Sequence, residues 1–266
     1  MYATTYHRPA SLAEASALLA NADEAKILAG GMTLLPTMKN RLAAPSDLVD
    51  VGRLAELAGV SLAGDTLTIG AATKHYEVAG SATVKGAIPA LAKLAGGIGD
   101  PQVRHMGTIG GSISNNDPAA DYPAGLVGLG ATVTTSKRTL AAEDFFAGLF
   151  STVLDAGEIV TKVSFPVPAK AAYAKFPNPA SRYAMAGVMV VKARDGSVRV
   201  AVTGAGGNGV FRWHAAEAAL AASFSAAALD GLSVDAGDLM SDIHGSSEYR
   251  ANLVKVMTQR AVAAAG

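Results

Sequence analysis

The sequence predicts an α+β protein, and three observations carry the prediction. Short apolar runs of strand length, such as KIL before Ala29 and TLTIG from Thr66, alternate with stretches whose apolar residues recur at helical spacing. Two apolar runs, AMAGVMVV and VRVAVT, are joined through Asp195-Gly196, a dipeptide that favours a tight hairpin. Half of the 266 residues are hydrophobic, enough for a sizeable core shared by two or three packed pieces.

Ser11 is placed as a helix N-cap with Glu14 in capping-box register. Leu12, Ala15, Leu18 and Leu19 then form an apolar stripe that predicts a helix to about Ala20. The run ending at Gly30-Gly31 reads as a strand feeding a tight loop, and DLVDV at 47 to 51 as a second strand, so residues 1–55 form a first unit. In residues 56–168 the sequence predicts a strand in TLTIGAAT and a helical patch holding Tyr76, Val78 and Val84. A helix in IPALAKLAGGI ends at its glycines, and a strand in GEIVTKVSFPVP is stopped by prolines. Residues 169–266 combine the Asp195-Gly196 hairpin with a helix in HAAEAALAA and a last helix in which Leu253, Val256, Met257 and Arg260 set the register.

Lysine plus arginine and aspartate plus glutamate number 22 each, so no net charge draws the chain toward nucleic acid or an anionic membrane. The absence of cysteine excludes disulfides, thiolate zinc sites, catalytic thiols and iron–sulfur clusters held by this chain. The start lacks the basic and apolar regions of a signal peptide, and no apolar run reaches the roughly 18 residues of a membrane span. A cytoplasmic protein without stable membrane insertion is expected. The five histidines are scattered, with no paired spacing for a metal, and no catalytic acid–base pair stands out.

Three glycine clusters compete for the chemistry. Gly204 to Gly209 satisfies G-x-G-x-x-G, follows a strand and precedes a helical stretch. Too little chain follows it to complete a parallel sheet with a switch-point crevice, so a structural turn is expected. Gly30-Gly31 and the Gly107 to Gly111 group gain meaning together. Amides converging from two loops that lack Cβ atoms can grip a pyrophosphate from both sides. Thr33 and Thr108 add hydroxyls, and Asp121 suits the hydroxyls of a ribityl chain or ribose.

The pairing of AGGMTLLP at 29 to 36 with GDPQVRHMGTIGGSISNNDPAADYP at 99 to 123 resembles the FAD-binding medium subunit of the molybdenum hydroxylases. This is the carbon monoxide dehydrogenase, xanthine dehydrogenase and aldehyde oxidoreductase superfamily. The likeness extends to Y-x-R-P-x-S-L-x-E-A at 6 to 15, GEIVTKVSFP at 157 to 166 and the C-terminal SSEYRANLVKVMTQRA. It implies a two-part FAD-binding region of the vanillyl-alcohol oxidase (PCMH) type, residues 1–55 and 56–168. A C-terminal α/β domain of the CO dehydrogenase flavoprotein type, residues 169–266, would follow.

By that resemblance Ala29, Gly30, Gly31, Met32 and Thr33, with Leu34 following, wrap the FAD pyrophosphate. Thr108, Ile109, Gly110, Gly111 and Ser112 close the other side. Asn115, Asp121, Val160 and Lys175 surround the cofactor, and Tyr183 lies against the isoalloxazine. Met32 stands where many relatives carry a polar residue, and Ser112 where asparagine is usual. The implied partners are a small iron–sulfur subunit and a large molybdenum-cofactor subunit in a dimer of heterotrimers. Electrons would pass from molybdenum through the clusters to FAD and on to an external acceptor. A flavin-free assembly subunit and a stand-alone FAD oxidoreductase remain the alternatives at this level.

Overall fold

The computed structural model describes residues 1–265. The chain opens with β1 (Thr5–His7), α1 (Leu12–Ala20), β2 (Lys26–Leu28), α2 (Leu34–Lys39) and β3 (Asp47–Asp50). The three strands form a parallel sheet in the order β1-β3-β2. The Glu14 amide donates to the Ser11 hydroxyl at 3.2 Å, while the Glu14 carboxylate accepts from Ala10 rather than from the cap residue. Ala15 and Leu19 of α1 bury against Val49 and Val51. Strand β1 escapes the sequence reading because three largely exposed residues carry no periodicity; its register with β3 defines it. Pro36 sits within the first turn of α2, where an amide would have had no acceptor within the helix.

Next come β4 (Val60–Ala63), β5 (Thr66–Gly70), α3 (His75–Gly80), α4 (Ala82–Ala87), α5 (Pro89–Gly96), α6 (Pro101–Met106), α7 (Ile109–Asn115) and α8 (Asp121–Leu129). They are followed by β6 (Thr132–Thr135), β7 (Thr139–Ala141), α9 (Ala142–Phe145), β8 (Phe146–Gly148), β9 (Ser151–Thr152) and β10 (Val160–Pro166). Strands β4-β5-β10-β6-β7 make an antiparallel sheet. Cross-strand register aligns Val133, Val163 and Ile69 in one row and Phe165 with Leu67 in the next. All five are fully buried. Each such side chain contributes about 1.5–3 kcal/mol to folding.

Helices α6 and α7 occupy the stretch that glycine content makes look like plain loop. Glycine disfavours a helix by about 1 kcal/mol per residue. Here burial of Ile109 and Ile113 and the Thr108 cap override that preference.

The remainder comprises β11 (Lys170–Pro177), β12 (Ala184–Lys192), β13 (Val198–Thr203), β14 (Phe211–Arg212), α10 (His214–Ala222) and α11 (Ser247–Ala265). The antiparallel order is β11-β12-β13-β14. Strand β12 is buried from Ala184 to Val191 because α8 covers one face and α11 the other. That double cover explains its unbroken apolar run. Strand β11 reads in sequence as a proline-rich connection, yet Pro177 is accommodated because β11 is an edge strand and the proline follows a break in register. Gly196 takes φ +89° at the predicted hairpin.

Helix α8 is buried all round, between the helices packed on the second sheet and the face of the third. Its first residue is Asp121. The packing of the whole molecule therefore fixes where that carboxylate lies.

Candidate functional site

One cleft of about 560 Å³ runs between the start of α2, the start of α7 and the Tyr183 turn. Its two glycine clusters touch. A Cβ on Gly30 would fall against the Met106 carbonyl oxygen and 2.7 Å from Gly107 Cα. Gly31 has φ +70°, the left-handed backbone that glycine adopts without a steric penalty. Among the described residues, the amides of Gly30, Gly31, Met32, Thr33 and Leu34 donate to no protein acceptor; the next one, Leu35, bonds to Gly31 O at 3.2 Å. Consecutive free amides of this kind form a concavity suited to an anion.

The second loop departs from the expected symmetrical amide grip. The Ile109 amide donates to Thr73 O at 3.1 Å, Gly110 to Ala71 O at 2.8 Å and Ser112 to Thr108 O at 3.0 Å. The Gly111 amide donates to Thr108 Oγ1 at 3.1 Å. The first amides of α7 need acceptors, and the β5–α3 connection supplies two of them. This loop therefore presents bare glycine surface, the Ser112 and Asn115 side chains and the Thr108 hydroxyl proton, while the first loop presents amides.

Of the residues singled out in the sequence, Ala29, Gly30, Gly31, Met32, Thr33, Leu34, Thr108, Gly110, Gly111, Ser112, Asn115, Asp121, Val160 and Tyr183 line the cleft. Two do not. Ile109 is fully buried, its side chain in the hydrophobic core. Lys175 stands behind Asp121, its ammonium 3.0 Å from Asp121 Oδ1 and donating to Gly97 O at 2.8 Å.

Tyr173 also donates to Asp121 Oδ1, at 2.5 Å. Burial pushes the Asp121 carboxyl up, against the pull of Lys175 and Tyr173. Both carboxylate oxygens thus have protein partners, and Asp121 still lines the cleft. Tyr183 is carried by a turn in which Asn178 Oδ1 accepts from the Ala180 and Ser181 amides, and Arg182 takes φ +63°. The Gly204–Gly209 turn lines no part of the cleft and packs instead against Ala184 and Phe211.

His75, Asp117, Glu158 and Arg182 also line the cleft and were not singled out by sequence, although Asp117 and Glu158 fall within the stretches that carry the family resemblance. His75 is buried beneath Gly107, with Nδ1 lacking a partner among the described residues. Burial, with the nearby Arg104 charge, lowers its pKa to about 4, so the imidazole is neutral near pH 7.

Glu158 has a fully enclosed carboxylate that accepts from Arg138 at 2.9 and 3.0 Å, Thr135 Oγ1 at 2.6 Å and the Asp155 amide at 2.9 Å. The Arg138 pair leads the effects that hold its pKa at about 2. The folded chain keeps this group charged where an unfolded chain, with the ordinary value of 4.5, protonates it. Its stabilisation is complete above pH 4.5 and drains away as pH falls toward about 2. Arg138 is partly exposed and screened, so acid titration of the unfolding free energy is expected to lose about 2 kcal/mol in this window. Arg138→Ala is expected to flatten that part of the curve.

A cleft whose floor is free backbone amide and close-packed glycine defines a binder of phosphate-bearing cofactors. Residues 2–168 match the family described as the FAD binding domain in molybdopterin dehydrogenase. The chain is 35% identical to the carbon monoxide dehydrogenase medium chain of Afipia carboxidovorans, over 97% of this chain and 94% of that protein. It is 36% identical to the nicotine 6-hydroxylase medium subunit of Paenarthrobacter nicotinovorans, over 99% of this chain and 98% of that subunit. A solved carbon monoxide dehydrogenase chain from Hydrogenophaga pseudoflava superposes with a TM-score of 0.89 at 35% identity, covering 98% of this chain and 96% of that one. The chain therefore belongs to the FAD-binding family of the molybdopterin dehydrogenases, as a medium-type flavoprotein subunit of an oxidoreductase, and its cofactor is FAD. Among the described residues no helix is long and apolar enough to cross a membrane.

Proposed function

We propose that this chain is the electron-transfer subunit of a molybdenum hydroxylase. It would receive electrons from iron–sulfur clusters in a small partner subunit, fed by a molybdenum cofactor in a large one, and pass them to an external acceptor. The single observation that carries the placement of FAD is the run of free amides from Gly30 to Leu34, set against a glycine surface with no room for a Cβ. Bound FAD supplies the redox chemistry, and the chain's residues bind and orient it.

In this reading the Gly30–Leu34 amides hold the pyrophosphate, and Thr33, Thr108, Ser112 and Asn115 add side-chain donors. Asp121 accepts from ligand hydroxyls, and Tyr183 stacks on the ring system. Val160 packs at the cleft wall, while Ile109 and Lys175 act from behind it. The same reading divides the chain at residues 1–55, 56–168 and 169–266. The first two form a vanillyl-alcohol-oxidase-type FAD region and the third a CO dehydrogenase flavoprotein-type domain.

The lack of cysteine supports a division of labour in which the clusters reside in another chain. Relatives named as medium chains support an assembly with smaller and larger partners, here taken as a dimer of heterotrimers in the cytoplasm. The purified full-length chain is expected to carry, or to take up, one FAD with the two absorption bands of oxidised flavin. Co-expression with neighbouring cysteine-rich and molybdenum-binding chains is expected to yield one complex. A chain that stays colourless after incubation with FAD would reject this assignment of the cleft.

A further inference from the structure

Asp117 is a carboxylate of the cleft wall to which neither the fold nor the motifs assign a task. It lies between the left-handed Asn116 (φ +44°) and Pro118, and its Oδ1 accepts the Ala119 amide at 2.9 Å. The segment is pinned to the third sheet: Gly204 N–H donates to Pro118 O at 2.9 Å, and Thr203 Oγ1 donates to Ala120 O at 2.7 Å. Ala184 N–H donates to Ala119 O at 3.3 Å, which sets the residue next to Tyr183 beside the Asp117 turn.

Tyr183 is the one Phe, Tyr or Trp side chain lining the cleft among the described residues, and a fused-ring ligand stacks best on it. The charged and titratable groups that line the cleft with Asp117 include Asp121 on α8, backed by Lys175 and Tyr173 from β11, and Arg182 and Tyr183 from the turn. Lys175 is committed to Asp121 and Gly97 O. Among the described residues no cation pairs with Asp117. Burial already pushes its carboxyl upward, and burial together with the charges of Asp117 and Asp121 raises Tyr183.

We propose that Asp117 is the redox-linked proton acceptor of the cleft, taking up one proton when the bound flavin is reduced. This rests on FAD occupying the cleft with its rings at the Tyr183 end. The balance is simple. Two electrons from an external donor and one proton from solvent reduce the flavin, leaving one extra negative charge on it. That charge beside an unpaired carboxylate draws a second proton from solvent onto Asp117, converting carboxylate to carboxylic acid. Asp117 is favoured over Asp121 for this part because no cation opposes its protonation, whereas the Lys175 ammonium opposes that of Asp121.

The test is spectroelectrochemical titration of the full chain with FAD, wild type against Asp117→Asn, across acid to neutral pH. Asparagine keeps an oxygen for the Ala119 amide. Between the carboxyl's pKa with oxidised flavin and its higher pKa with reduced flavin, reduction of wild type binds one additional proton. The midpoint potential there is expected to steepen by about 30 mV per pH unit, the value of a tenfold change for a two-electron couple. Below or above that interval no extra proton is bound. The variant is expected to lack the steeper segment and, above it, to be reduced at a higher potential, since a nearby negative charge is gone. Should the variant fail to fold, infrared difference spectra of wild type are expected to gain the carbonyl band of a protonated carboxyl on reduction. FAD bound with coincident slopes in both proteins, or no such band in wild type, overturns the inference alone. A wild-type chain that takes up no FAD overturns the cleft assignment, and this inference with it.

Discussion

Gly30→Ala is expected to lower the affinity for FAD ten- to a hundredfold, equivalent to one charge-assisted contact of about 1.5–3 kcal/mol. The added Cβ would meet backbone on the neighbouring loop, at the Met106 carbonyl and Gly107 Cα, and backbone cannot swing aside as a flexible side chain can. The two loops must separate, and the free amides of the first then no longer face the surface of the second. Forced overpacking of this kind also costs about 1–3 kcal/mol of stability. Flavin content after purification and fluorescence titration with FAD measure the first effect, and urea unfolding the second. Gly86→Ala is the matched control, because a Cβ there meets nothing within 4 Å. It is expected to leave binding unchanged and to stabilise α4 by up to about 1 kcal/mol. Wild-type affinity in Gly30→Ala would show that contact between the loops is not needed for the grip.

The second large effect concerns the end of α8. Asp121→Ala is expected to lower the unfolding free energy by about 3–5 kcal/mol, the typical consequence of removing one partner from a buried ion pair. It strands the Lys175 ammonium, which is only 11% exposed, and the Tyr173 hydroxyl. Lys175→Met alone is expected to be costly as well, because the Asp121 carboxylate keeps only its tyrosine bond and the N-terminal end of a helix. The Asp121→Leu, Lys175→Met double variant is expected to recover much of the loss, since neither charge then remains buried. Its FAD affinity should stay low, because the acceptor facing the ligand hydroxyls is absent. Single variants costing under about 1 kcal/mol, or strictly additive losses in the cycle, would show that the pair contributes little.

Much of the cleft was legible in the sequence because its central requirement is negative. AGG and TIGG mark places where side chains must be absent, and Gly30 and Gly110 are in fact overlaid by neighbouring backbone. The Ser11 cap, the Asp195-Gly196 hairpin and the apolar run of β12 were legible for the same kind of local reason. What stayed hidden is set by distant partners. Nothing local in GTIGG discloses that two of its amides are taken by Ala71 and Thr73 carbonyls, so the two loops looked equivalent when only one has free donors. Nothing near Asp121 announces that residues 173 and 175 will close on it from an edge strand that the prolines disguised. His75 reaches the cleft through tertiary packing alone.

The amides from Gly30 to Leu34 have only solvent to satisfy them until an anion arrives. Any ligand that binds them favours the native state over the denatured one by mass action, by about 2.7 kcal/mol when its free concentration is a hundredfold above the dissociation constant. Thermal resistance of this subunit should therefore follow the vitamin status of the cell that makes it, with starved cells accumulating a softer, protease-prone form.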